Sequence, residues 1–301
     1  MIPSPFSRPA QWLMALFFGA LWFVLCRHLS AHWNLNPQYG YGWIVPPLAA
    51  YLAARRWTTR PAASAPLKGM GALVIAGALV FGALWLVEAP NPDWRLISWL
   101  LALLIAGMSL ATLAALGGRA WAAHFAFPIL FTLTAVPWPT GIEIPVVQNL
   151  MRIVAMITVE ALNFFHVPAL QQGNVIEIGA GLLGVDEACS GVRSLQATLM
   201  ASLFLGELYS FTFGKRLVLL VAGLIVALLT NVARTFFLAW NAAKDGLDAV
   251  EKWHDPAGFT ILTGCLVVVW LLALLLDHDP AEVPATPPDA RPSGSWSTTF
   301  A

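Results

Sequence analysis

Leu217 to Trp240 reads LVLLVAGLIVALLTNVARTFFLAW, 24 residues with a single formal charge. About 20 apolar residues in a helix cross the ~30 Å hydrocarbon core of a bilayer, so this stretch alone makes a membrane protein the first expectation. Its one charge, Arg234, then needs a reason. An ionisable side chain inside a span costs about 2.5–3.5 kcal/mol on insertion scales and marks a pairing or a functional site.

The rest of the chain agrees. Hydrophobic residues make up 58% of the 301 and charged residues 11%, against about 25% charged in soluble domains. Mean hydropathy is +0.72. Further apolar windows fall at 10–27, 42–54, 69–87, 95–116, 120–136, 192–213 and 257–276. The expected class is an all-α polytopic membrane protein with about eight transmembrane helices. An interfacial or re-entrant helix and a short extended extracytoplasmic segment complete it.

Charge orients the bundle through the positive-inside bias. Arg55, Arg56, Arg60 and Lys68 share one connection, Arg119 lies in a second and Lys215 with Arg216 in a third. These should face the cytoplasm together with the N-terminus. In the connections 28–41, 88–94, 136–143 and 241–256 acids outnumber or offset bases, and these should face outward. That alternation holds only if the run 144–167, interrupted by Gln148, Asn149, Arg152 and Glu160, begins and ends outside without crossing. After it, Gln171 to Ile178 carries the Gly-Asn turn signal of a hairpin or cap over the outer mouth.

The first apolar run lacks a clear cleavage site and reads as a signal anchor. Residues 1–276 are expected to form one multipass domain. Residues 277–301, rich in Pro, Ser, Thr and Ala, should be a disordered cytoplasmic tail. Zero net charge and the absence of CxxC, HExxH and P-loop patterns give no support to metal, nucleotide or nucleic-acid chemistry, and no cofactor is expected. Cys26 and Cys265 sit inside apolar windows, where cysteine serves as a small hydrophobe.

Cys189 is different. Asp186-Glu187-Ala188-Cys189-Ser190-Gly191-Val192-Arg193-Ser194 places it beside charges at the start of a span. A helix N-terminus and a neighbouring guanidinium both favour the thiolate. Arg234, three residues after Asn231 and so on a nearby helix face, and His254, next to Asp255, should come to the same outer mouth. Arg234 stays protonated and suits fixing a thiolate, a carboxylate or an oxyanion. The histidine, with an intrinsic pKa near 6.5, suits proton exchange. Asp186 and Glu187 would oppose ionisation of the thiol and read as scaffolding. Ser190, Arg193, Asn231 and Asp255 are the supporting candidates. His28 and His32 read as exterior loop residues.

Ala188-Cys189-Ser190-Gly191-Val192-Arg193-Ser194, then Asn231-x-x-Arg234, then His254-Asp255-x-x-Gly258 resembles the exosortase/archaeosortase family in order and spacing. Pro37 to Pro47 followed by Arg55-Arg56 is similar to its early segment, with Gly40-Tyr41-Gly42 where the family commonly has Ser-His-Gly. The resemblance implies a multipass membrane cysteine transpeptidase of the plasma (inner) membrane. Its substrates would be exported proteins with a C-terminal sorting signal of short motif, transmembrane helix and basic cluster, passed to a surface acceptor. It also implies Cys189 as nucleophile, Arg234 as catalytic arginine and His254 as third member, a histidine there being similar to bacterial exosortases. The family picture often makes the arginine the proton donor, whereas residue chemistry favours the histidine. Two other readings stay open. One is a transporter or assembly subunit whose polar path Arg234 and His254 line; the other is a protease that hydrolyses without transfer.

Overall fold

A computed structural model describes residues 8–184 and 191–278. Asp186, Glu187, Cys189 and Ser190 lie outside those residues, as does the tail from 279. Among the described residues eight α-helices follow in order: α1 (Arg8–Leu35), α2 (Val45–Thr58), α3 (Met70–Glu88), α4 (Arg95–Phe131), α5 (Thr140–Phe164), α6 (Val192–Leu208), α7 (Phe213–Asp245) and α8 (Asp248–Asp277). A 3-10 segment, Pro37–Trp43, joins α1 to α2. The chain is a multipass, mainly helical membrane protein. By length and composition, α3, α4 with its 3-10 extension to Ala135, α5, α7 and α8 are long and apolar enough to cross a bilayer.

The windows 95–116 and 120–136 form one helical run broken at Gly118, whose φ of 71° and ψ of −170° leave the helix. A side chain there would strike Ser64 Oγ, since Ser64 N donates to Gly117 O at 3.0 Å. The chain reverses at this point. Trp99 Nε1 donates to Pro137 O at 2.8 Å and Arg95 Nη1 to Trp138 O at 3.3 Å, bringing the two ends of the run together.

The bundle has two chemically distinct ends. At one, which we term the basic end, Glu207 pairs with Arg56 and with Arg216 at 3.0 Å, and Lys215 Nζ donates to Leu276 O at 2.7 Å. At the other, Glu143 receives Gln38, Tyr39 and Arg95. Each expected set of connections therefore gathers at its own end. At 1.5 Å rise per residue, Arg234 stands about 28 Å along α7 from Lys215, close to one hydrocarbon thickness.

Both ends of α5 make their contacts at the end opposite the basic one. Glu143 meets Gln38 near its start, and Phe165, its C-cap, packs on Phe236 and Trp240 of α7. Val154, Ala155, Val159 and Leu162 of α5 share a buried core with Leu238, Ala239 and Ala242. Three antiparallel strands close that core: β1 (Ala169–Gln172), β2 (Val175–Ile178) and β3 (Gly181–Gly184). Gln172 pairs with Val175 across the Gly173-Asn174 turn, and Ile176 and Ile178 alternate inward.

One local expectation is corrected. His28 and His32 belong to α1, not to a loop, because Leu29 and Trp33 extend the buried stripe of the helix. His28 Nδ1 lies 2.9 Å from Glu88 Oε1 and its Nε2 lies 2.8 Å from Ser98 Oγ, joining α1, α3 and α4.

Candidate functional site

A cleft of about 560 Å³ opens at the end remote from the basic cluster. Asn36, Gln38, Arg193, Asn231, Arg234 and His254 contribute to its walls, with Gly191 among them. Four segments of the chain thus meet: the 3-10 segment after α1, the start of α6, the second half of α7 and the start of α8.

Arg234 is 8% exposed, and its Nη2 donates to His254 O at 3.1 Å. The bond ties α7 to α8 and gives the guanidinium a fixed address. Close approach depends on Gly258, where a β-carbon would lie 3.0 Å from Nη2 and 3.3 Å from Cζ. A permanently charged group, nearly buried and held by backbone, is suited to stabilising negative charge on a reacting oxygen or sulfur.

His254 also lines the cleft, and its Nδ1 lies 3.0 Å from Asp255 Oδ1. The Asp255 side chain is 96% exposed, so solvent screens this pair and its contribution is at most ~1 kcal/mol. Asp255 orients the ring. With Nδ1 turned to the carboxylate, Nε2 is the nitrogen left for proton exchange.

Asn231 is buried behind Gly191. Gly191 is left-handed at φ 82° and serves as N-cap of α6. A β-carbon on it would sit 2.7 Å from Asn231 Cγ. Ser194 Oγ donates to Gly191 O at 2.9 Å and secures the same turn. Asn231 therefore acts here as a backstop for the segment that follows Cys189. Arg193 is exposed on the cleft wall. Of the seven expected site and supporting residues, Arg193, Asn231, Arg234, His254 and Asp255 meet at this cleft. Cys189 and Ser190 lie outside the described residues.

Sequence reasoning missed the contribution of the 3-10 segment. Asn36 caps it, accepting from Gln38 N at 2.9 Å, and Pro37 occupies its first turn. Gln38 Nε2 donates to Glu143 Oε1 at 2.7 Å. Glu143 is 8% exposed and also receives Tyr39 Oη and Arg95 Nη1. Burial pushes the Tyr39 phenol pKa up, opposed by nearby Arg95, so the hydroxyl stays protonated and donates. The Asn-Pro pair was a visible cap signal; its address beside Arg234 was not.

The model of one protein family, described as transmembrane exosortase, matches residues 33–271 of the chain. The match spans every residue just described at the cleft. No curated protein and no solved structure matches the chain.

Proposed function

The chain belongs to the transmembrane exosortase family, and from that premise we propose that it is a membrane cysteine transpeptidase acting on C-terminal sorting signals of exported proteins. The observation that carries this reading is the 3.1 Å bond from Arg234 to the His254 backbone in a cleft whose wall includes Gly191. Chain connectivity supports Cys189 as the nucleophile, because it lies two positions before Gly191, at most about 7 Å away at full extension.

In this reading the Cys189 thiolate attacks the scissile carbonyl and forms a C–S bond. Arg234 stabilises the oxyanion. As the C–N bond breaks, His254 gives its proton to the leaving amine. The acyl-thioester then passes to an acceptor, whose proton returns to His254 as the thiolate departs. Two moderate barriers replace one high one.

The basic end faces the cytoplasm by the positive-inside bias, which turns the cleft outward from the inner membrane. Eight crossings result if the two arms of α4 count separately and α5 stays at the outer face, as the contacts at both its ends favour.

Cys189→Ala and Cys189→Ser, expressed at wild-type level, should leave full-length substrate in the membrane. Normal processing by either variant would rule the thioester mechanism out.

A further inference from the structure

A second cleft of about 330 Å³ adjoins the first, and the two share Asn36 and Gln38 as walls. We propose that this second cleft, walled by Asn36, Gln38, Thr140, Glu143, Gln148 and Asn174, receives the acceptor that resolves the acyl-enzyme. We infer that the acceptor is neutral and that its attacking group is a hydroxyl. The proposal rests on the transpeptidase reading and adds a place and a chemistry for the second substrate.

Geometry supplies the place. A transferring enzyme needs two approaches to one carbonyl, and here two clefts meet at a shared partition. That partition is fixed: Gln38 is pinned by Asn36 at its backbone and by Glu143 at its carboxamide. A carboxylate only accepts hydrogen bonds, so Gln38 Nε2 must face Glu143. The Gln38 carbonyl oxygen then faces away from the carboxylate and is the atom offered to a ligand.

Charge supplies the chemistry. Among the described residues that wall the second cleft, the only charged ones are Arg95 and Glu143, and they pair with each other. Gln38 and Tyr39 take further lone pairs of Glu143. No spare carboxylate remains among them to hold an ammonium, and alkyl amines are largely cationic at neutral pH. No spare guanidinium remains to hold an anion. Thr140 and Gln148 are exposed, and Asn174 Nδ2 reaches only the weak acceptor Met151 Sδ at 3.9 Å. These groups suit a neutral ligand bearing several hydroxyl or amide positions.

The step balances. The acceptor O–H loses its proton to His254 as its oxygen bonds the acyl carbon, the C–S bond breaks and Cys189 regains the electron pair. The product is an ester. Water entering instead gives a free carboxylate.

The test is the partition of products. In membranes carrying the full-length protein and a processed substrate, mass spectrometry of the new C-terminus measures adduct against free carboxylate, and mild alkali separates an ester from an amide. Gln148→Leu, and separately Thr140→Val, should lower the adduct-to-carboxylate ratio about tenfold, the scale of one lost hydrogen bond. Added hydroxylamine should still trap the acyl group as a hydroxamate in both variants. An unchanged ratio, a fall in total cleavage with the ratio intact, or an alkali-stable amide product would overturn the proposal. Wild-type protein releasing only the free carboxylate would overturn it too, while leaving Cys189-dependent cleavage standing. Absence of that cleavage in wild type would sink the transpeptidase reading and this proposal together.

Discussion

Gly191 and Asn231 are packed so closely that an ideal β-carbon on the glycine would lie 2.7 Å from Cγ and 2.8 Å from Nδ2 of the asparagine. Gly191 also sits at φ 82°, which costs a residue with a side chain roughly 1–2 kcal/mol. Gly191→Ala therefore meets two penalties at once, steric and conformational. Cleavage by this variant should drop by about a hundredfold, from ~1.4 kcal/mol per tenfold. Asn231→Ala in the same chain should restore part of the loss, since it removes Cγ and Nδ2 but leaves the backbone strain. A double variant no better than Gly191→Ala alone would show that contact with Asn231 is not what matters.

Gly258 bears on Arg234 in the opposite balance. A β-carbon there would stand 3.0 Å from Nη2, a mobile side-chain end that can yield by a few tenths of an ångström. Alanine in place of helical glycine gains about 0.5–1 kcal/mol. Gly258→Ala should thus raise or preserve the melting temperature while lowering kcat about tenfold, a displaced guanidinium being the cause. Loss of stability and activity in parallel would contradict this account. An unchanged kcat would contradict it as well.

The asymmetry between these residues and Gln38 explains what could be read in advance. Asn231 and Arg234 share one helix at i, i+3, and His254 and Asp255 are neighbours on another, so local spacing exposed them; Gly258 came only with the family resemblance. The helices themselves follow from apolar length: 217–240 falls inside α7 and 257–276 inside α8. Gln38 reaches Glu143 across 105 residues, and no periodicity encodes such a pairing. The same holds for His28, placed outside a helix because hydropathy falls near it, although its polarity is satisfied inside by Glu88 and Ser98. Buried polar partners supplied by distant segments are invisible to a window.

Glu143 offers a test of how the outer cluster is held. The Arg95 side chain is 21% exposed and that of Glu143 10%, so the pair is largely desolvated. Removing one partner of a buried pair leaves the other uncompensated at a cost of about 3–5 kcal/mol. Glu143→Ala should lower the melting temperature in detergent well beyond Glu143→Gln, which keeps an acceptor for Tyr39 and Arg95. Arg95→Ala combined with Glu143→Ala should recover much of the loss. Equal melting temperatures for the two single Glu143 variants would assign the loss to the missing charge alone and give the acceptor oxygens no share in holding the cluster.

Glu207 is the counterpart at the other end. It is 8% exposed, accepts from Arg56 Nε at 2.7 Å and forms an ion pair with Arg216 Nη2 at 3.0 Å, joining α2, α6 and the start of α7. Glu207→Ala strands both guanidiniums and should destabilise the fold on the same scale of about 3–5 kcal/mol. Catalysis should respond differently. Arg216 lies 18 residues before Arg234 on one helix, about 27 Å at the rise of an α-helix, and the cleft lining at Arg234 and His254 includes no residue of this cluster. The expected result is a lower melting temperature with kcat per folded molecule within about twofold of wild type, the additivity seen for sites with no shared partners. A kcat that fell tenfold in protein shown to be folded would mean that the two ends of the bundle are coupled through α7, and that the cleft is positioned from the basic end.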